Sequence, residues 1–544
     1  MIISKIFSDN MILQREKASI LTGEAKPFEK MTVCIGGKTV SGQAGADGTF
    51  ALSLPVFEAG GPYTMEISGE DEAQKQVFSG VLFGDVFLLG GQSNMELSIG
   101  MIPDQNNEEL TSAYNPDIRM FQVAKEYDFS GKTRMLSSGE WLEVNTSTIA
   151  DFSALGYYFA REKYEKDHVP VGLVHIAVGG TPIEALMSEE NLLTQAEKIR
   201  TSHRIAGSCD GNKNMGCIFC YEKLLEKVKQ PGYTEKVVQD DLQRVNKWHE
   251  ELAAKDPGLL QGWMKEKWEE TGEIETIQLP RFFLGTKYES YIGSLWLQKT
   301  VCIPKQWMNK EVLLSLGTLV DFDKTYVNGK LVGETGYKYP PRRYKIGKDI
   351  LRAGENTITI RLGMDANIGG AIPDMPYCLV CEEETIDLTG EWRIRRGAGA
   401  KKLEGETFFI WNPTAQYHSM IAPLKGVAFD AVLFYQGESN CGHPEYYGEL
   451  FTAMVEEWRG LFGKDIPFFV AELAYYLGDG PEYISDPFAG VRDVQRGVVP
   501  KLGNAYLVPI CELGQYNELH PQNKKEVGHL FFEVYDKNRK GDNV

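Results

Sequence analysis

Gly90-Gly91-Gln92-Ser93-Asn94-Met95 follows directly on the apolar run Asp85-Val86-Phe87-Leu88-Leu89. A run of that length and composition reads as a buried strand. Two glycines then allow a tight turn, because they accept backbone angles that other residues resist. Ser93 is therefore expected on a sharp bend at the carboxyl end of a strand, the mechanical setting of a nucleophile. The G-x-S-x-G spacing of an α/β-hydrolase elbow is absent. A Gly-Ser surface turn is the competing reading of the hexapeptide, so the rest of the chain has to decide.

Outward from this point the same pattern returns. Residues 151–166 carry Leu155, Tyr158 and Phe159 at helical spacing, and a second apolar run, 171–178, ends in Gly179-Gly180-Thr181-Pro182-Ile183-Glu184. Thr181 with Glu184 has the form of a capping box, and Pro182 suits the first position of a helix. A third run, 429–435, ends in Gln436-Gly437-Glu438-Ser439-Asn440. Helical stretches at 445–461 and 488–502 then alternate with strand-like runs at 467–473 and 505–511, and the loop 512–520 leads to a last helix expected at Pro521. Strands alternating with helices predict an α/β fold with a parallel sheet.

Two segments break this rhythm. Residues 1–80 hold short strand-like runs punctuated by Gly36-Gly37, Asp47-Gly48 and Gly60-Gly61-Pro62, and read as a small β domain. Residues 191–275 are charged and helix-prone, and their tryptophans, Trp248, Trp263 and Trp268, are expected in a core. Residues 276–408 are strand-rich. Asn328-Gly329 is a strong hairpin signal, and 357–362 alternates like a half-buried strand. The chain thus divides into 1–80, a discontinuous α/β domain of 81–190 with 409–544, and an insertion that is helical over 191–275 and β over 276–408.

Composition narrows the function. The 544 residues exceed what one core supports. The formal charge of −19, from 57 basic and 76 acidic residues, argues against nucleic acid or anionic membrane partners. No run of about 18 apolar residues exists, and no secretory leader is read at Met1, so a cytoplasmic location is expected. Nine cysteines spread through the chain point to reduced thiols. Cys209, Cys217 and Cys220 near His203 match no standard zinc spacing, so no metal is expected.

Ligands of open parallel sheets bind beyond the carboxyl ends of the strands. If one sheet holds these runs, Ser93, Gly179-Gly180, residues 436–440 and Glu518 to His520 gather on one edge. Acyl transfer needs a hydroxyl nucleophile, a base, a group orienting that base and donors for an oxyanion. All of these residue types are present in the four loops.

The blocks Gly-Gln-Ser-Asn-Met-Glu (91–96), Gly-Gly-Thr-Pro-Ile-Glu-Ala (179–185), Met-Ile-Ala-Pro-Leu (420–424), Tyr-Gln-Gly-Glu-Ser-Asn (435–440) and His-Pro-Gln-Asn-Lys (520–524) resemble the sialate O-acetylesterase family of the SGNH-hydrolase superfamily. The resemblance runs over nearly the whole chain. It implies an SGNH-type parallel sheet sandwiched by helices, with the 276–408 segment similar to a galactose-binding-like jelly roll. It implies a carbohydrate O-acetylesterase that needs no cofactor and acts on an acetylated sugar or oligosaccharide. Ser93 maps onto the nucleophile and His520 onto the base. The backbone N–H of Ser93 and that of Gly179 or Gly180 would line the oxyanion hole.

The chain departs from the superfamily pattern twice. Ser439 stands where an oxyanion asparagine is usual, which leaves Gln436 or Asn440 as third donor. Asn517 stands where an aspartate precedes the histidine, which leaves Glu518 as the acid, or a Ser-His dyad oriented by a backbone carbonyl. Glu438 is a candidate substrate-binding acid or a loop support, and His443 is a competing base. Arg492 and Gln495 are expected on a solvated helix face. Alternatives are an acetylesterase of xylan or other plant oligosaccharides, a lipase or thioesterase on the same fold, and a non-catalytic carbohydrate-binding protein.

Overall fold

A computed structural model describes residues 1–70, 75–103, 105–133, 135–202, 221–265, 267–268, 274–373, 375–476, 486–515 and 518–539. The architecture is mixed α/β with several sheets, and it divides into two units, one of them Glu235–Thr407.

In the first unit the chain runs β1 (Gln76–Gly91), α1 (Ser93–Glu96), β2 (Asn115–Gln122), β3 (Trp141–Val144), α2 (Ala154–Asp167), β4 (Val171–His175), β5 (Ala431–Tyr435), α3 (Pro444–Phe462), β6 (Phe468–Ala471), α4 (Ala489–Val498), β7 (Ala505–Val508) and α5 (Lys524–Arg539). The sheet order is β3-β2-β4-β1-β5-β6-β7. Every neighbouring pair is parallel except β3 against β2.

β1 is buried at every residue from Val81 to Gly91, as a strand covered on both faces must be. Phe87 meets Phe159 of α2 and Tyr535 of α5 edge-on. Three residues on, across the pleat, Gly90 lies under Trp458 of α3. Burying one such aromatic contributes about 2–3 kcal/mol.

Asp85 anchors the same strand. Its carboxylate accepts from Arg15 (2.8 and 3.2 Å), Lys163 of α2 (2.7 Å) and Arg539 of α5 (3.3 Å). Burial alone would raise its pKa, but these cations overturn that and hold it below the usual range.

The expected boundary at residue 80 falls inside β1. The first half of the strand pairs with Gly60–Ser68 and Ile12–Gln14, and the second half with β4 and β5. One strand therefore serves both the N-terminal sheet and the parallel one.

The Glu235–Thr407 unit holds an antiparallel six-stranded sheet and an antiparallel four-stranded sheet. Trp307, Trp392, Leu297 and Leu314 share the core between them. Asn328 and Gly329 both have positive φ, as the hairpin signal required. Residues 357–362 are buried on both faces, not half-buried. Thr359 accepts from Gln298 (3.1 Å) and Arg361 donates through Nε to Asp256 (2.7 Å), so the polar face is covered and finds partners inside. Trp263, Trp268 and Trp296 form a buried cluster, which confirms core over surface for the first two. The helices Glu189–Ser202 and Tyr221–Val228 belong to the first unit, so the second begins later than residue 191.

Two local expectations fail. At Thr181 and Glu184 no capping box forms; a short 3₁₀ turn, Ile183–Leu186, follows instead. The Thr181 hydroxyl donates to Val178 O (2.6 Å), while Glu184 accepts from Asn440 (2.9 Å). The last helix starts at Lys524 rather than Pro521.

Candidate active site

The parallel register sets Gly91 level with Tyr435, and Leu89 level with His175. The loops after β1, β4 and β5 therefore leave the sheet side by side, and the loop carrying His520 follows β7. Extended Gln92 precedes α1, and half-buried Ser93 is the first residue of that helix. Gln92 is buried, and its side-chain Oε1 accepts from the N–H groups of Gly437 (3.3 Å) and Ser439 (3.2 Å). That pins the β1 turn to the β5 loop.

Gly179 lies against Ser93: a Cβ placed on it would be 3.6 Å from Ser93 Cβ. Its carbonyl accepts from Trp411 Nε1 (2.6 Å), and Gly180 has φ +77° with the Trp411 ring over it. A side chain at either glycine would crowd the turn. The Gly179 N–H, however, donates to Glu96, whose other carboxylate oxygen is held by Lys125. The N–H groups of Ser93 and Gly180 have no protein acceptor among the described residues.

Both candidates for the third oxyanion donor are engaged in bonds between loops. Fully buried Gln436 donates through Nε2 to Asn440 Oδ1 (2.7 Å) and Thr181 O (3.1 Å) and accepts from Tyr447 (3.0 Å). Asn440 donates to Glu184 and accepts from the Ile183 N–H (3.0 Å). Both amides join the β4 and β5 loops.

Glu438 is not a cleft wall. It is buried, accepts from Asn94 Nδ2 (2.6 Å), and burial pushes its pKa up; its Oε2 has no partner among the described residues. Arg492 and Gln495 are buried too. Gln495 donates to Gln436 O (3.0 Å) and Arg492 donates to Leu473 O (2.6 Å), so they support the loop instead of facing solvent. His443 sits exposed at the start of α3, stacked on Tyr446.

His520 is nearly buried, and Glu518 lies beside it. The Glu518 carboxylate accepts from the His520 backbone N–H (2.9 Å) and stands 3.8 Å from Nδ1, beyond hydrogen-bond length. Asn517, Cys209, Cys217, Cys220 and His203 lie outside the described residues. Among the described residues no group of His, Cys, Asp or Glu is arranged to hold a metal ion.

Sequence reasoning passed over two residues that hold the site together. Asn94 donates to Leu519 O (3.2 Å), tying the residue after Ser93 to the residue before His520. Lys524 donates to Asn94 Oδ1 (2.6 Å) and lies 5.4 Å from the Tyr435 ring. Burial brings the Lys524 pKa down to about 7, against the opposing pull of Glu438 and Glu518. Both residues stand inside quoted motifs, which was the available signal. Together the loops present a hydroxyl at a helix start, unoccupied N–H donors beside it, and an imidazole with a carboxylate neighbour. That set can perform acyl transfer.

Comparison with known proteins bears out the resemblance. Residues 83–209 match the family described as carbohydrate esterase, sialic acid-specific acetylesterase. Sialate O-acetylesterase of Homo sapiens is 28% identical over 203 residues, covering 34% of this chain and 38% of that protein. The Rattus norvegicus sialate O-acetylesterase is 30% identical over 202 residues, covering 34% and 37%. The chain thus matches little more than a third of the length of these relatives. A crystal structure of a carbohydrate acetylesterase from Xanthomonas citri superposes with a TM-score of 0.55 at 19% identity, covering 100% of this chain and 76% of that one, a likeness of fold.

Proposed function

We propose that this protein is a carbohydrate O-acetylesterase working through a serine acyl-enzyme, with sialate O-acetyl esters as the first substrate class. The observation that carries the reading is the Asn94 bond to Leu519 O, because it sets the serine motif against the histidine motif within one residue of each reacting side chain. The matched family, the sialate O-acetylesterase relatives and the acetylesterase of like fold support the same chemistry.

In this reading Ser93 Oγ attacks the acetyl carbonyl and His520 takes its proton. The imidazolium then protonates the leaving sugar hydroxyl, and water repeats the sequence on the acetyl-enzyme. The oxyanion is received by the N–H groups of Ser93 and Gly180; the Gly179 N–H joins them if Glu96 yields it. Losing one such donor commonly costs about 3 kcal/mol of transition-state stabilisation. Glu518, 3.8 Å from Nδ1, is assigned to orient the imidazole.

The parallel sheet is read as an SGNH-type core divided by the insertion, and the two antiparallel sheets of residues 275–399 as a galactose-binding-like jelly roll. The six described cysteines are free, which suits a reducing compartment such as the cytoplasm. Among the described residues no helix is long and apolar enough to cross a membrane.

The test is acetate release from acetylated sialic acids, acetylated xylo-oligosaccharides and acetylated manno-oligosaccharides, by the full chain and by Ser93→Ala. Turnover that is lost in Ser93→Ala supports the reading, and the preferred sugar names the substrate. Equal release by a pure Ser93→Ala preparation would refute the assignment of the nucleophile.

A further inference from the structure

We propose that Lys524 is a positioning residue for this reaction: with Asn94 and Glu438 it forms a buried clamp that holds the Ser93 helix and the His520 loop in register. The inference rests on the esterase reading and adds to it a residue that touches no substrate.

The Asn94 side chain is the centre of the clamp. Its Nδ2 donates to Glu438 Oε1 (2.6 Å) and to Leu519 O (3.2 Å), and its Oδ1 accepts from Lys524 Nζ (2.6 Å). Three distant motifs meet here, one from the helix after β1, one from the turn after β5, and one from the start of α5. Asn94 is 2% exposed, Glu438 8% and Lys524 1%.

The chemistry of each group fixes the direction of the clamp. An ammonium can only donate, so it must face the oxygen of an amide, while Glu438 and the Leu519 carbonyl have to face the nitrogen. Lys524 therefore excludes the flipped amide, in which Asn94 would turn its oxygen toward Leu519 O and release the His520 loop. A neutral filler of the same volume would leave the direction to Glu438 and Leu519 O alone and would remove the bond that ties α5 to Asn94.

Energetics make a purely stabilising role a poor account of Lys524. A buried cation costs desolvation, and a positive charge in the first turn of a helix opposes the helix dipole. An apolar side chain would fill the space without either cost. Facing Lys524 are Asn94 on α1, the Tyr435 ring, Glu438 beyond β5 and Glu518 on the loop after β7. What the lysine supplies among them is a donor that can meet the Asn94 amide only at its oxygen.

The experiment compares acetate-release kinetics, thermal unfolding and fluorophosphonate labelling of the serine in the full chain, Lys524→Met and the double variant Lys524→Met/Glu438→Gln. Methionine keeps the volume, and the glutamine removes the carboxylate left unpaired. Loss of register of about 1 Å should lower kcat by about 100-fold and slow labelling equally, with KM nearly unchanged. The double variant should unfold no earlier than wild type and stay as slow as the single one. Wild-type kcat in Lys524→Met would overturn the clamp. So would kcat returning in the double variant together with stability, since that is the signature of a folding role alone. If the wild-type chain releases no acetate and takes up no label, the esterase reading itself fails, and the clamp falls with it.

Discussion

Gly91→Ala puts the strand-to-serine turn under the most direct stress. Gly91 has φ +133°, which L-residues rarely adopt, and a Cβ there would lie 2.6 Å from the Tyr435 carbonyl carbon and nearer still to its oxygen. Carbon atoms rest about 3.5–4.0 Å apart, so β1 and β5 must part locally by roughly 1 Å. The backbone angle costs about 1–3 kcal/mol. The Gln92 N–H bond to Tyr435 O (2.9 Å) is lost as the strands part, at about 1 kcal/mol. A total of roughly 2–4 kcal/mol is a large share of the stability of an ordinary domain. Displacing Ser93 by the same distance should lower acetate release by about 100-fold. Gly37→Ala is the control: its φ is +77°, but a Cβ there meets nothing within 4 Å. It should pay the angle alone and leave activity intact. Urea unfolding and acetate release of both variants make the measurement. Gly91→Ala with wild-type midpoint and turnover would refute the reading of this turn as a close-packed nucleophile support.

Glu518→Gln should lower kcat by about tenfold or more with little change in KM, because the charge matters most once His520 is protonated; unaltered kcat at every pH would leave the Ser-His dyad standing. Asp85→Ala should cost about 3–5 kcal/mol in urea unfolding, since it strands buried Lys163 without its strand partner. Asp85 is depressed in the folded state, so its contribution is complete above the unfolded pKa near 3.8 and is lost as pH falls through the lower folded value. The alanine variant should therefore unfold with a flatter acid limb, and an unchanged limb would argue against the charge hub. Lys524 has the opposite dependence: its folded pKa of about 7 lies below the ordinary 10.5, so its destabilising effect is full below pH 7 and fades toward 10.5. Wild type should gain roughly 2–3 kcal/mol between pH 7 and 9 relative to Lys524→Met, and parallel stability curves would contradict it.

What the sequence showed plainly was the buried parallel strands. The runs 85–89, 171–178 and 429–435 are largely apolar because the strands within them are covered on both faces and have little polar side to show. The strand at 357–362 misled for the complementary reason. Thr359 and Arg361 look outward in a sequence, yet Gln298 and Asp256 meet them inside. Thr181 and Glu184 failed as a capping box because their side chains found Val178 O and Asn440 first, and the second of these is 256 residues away. Local patterns compete with distant partners that no local window contains.

The same competition explains which site residues were legible. Ser93 and His520 announce themselves by type, since few side chains can serve as nucleophile or base. Gln436 and Asn440 also look like donors, but an amide in a motif has as much use between loops as toward an oxyanion. In this fold both are consumed by Thr181, Ile183, Glu184 and each other. Asn94 and Lys524 carry no chemical signature alone. Their meaning appears only when residues 430 apart come within 2.6 Å. A donor-only lysine beside an amide then does what the amide cannot do for itself, which is to choose its own orientation. The direction of the Asn94 side chain, next to Ser93, is thus braced from a residue 430 positions away.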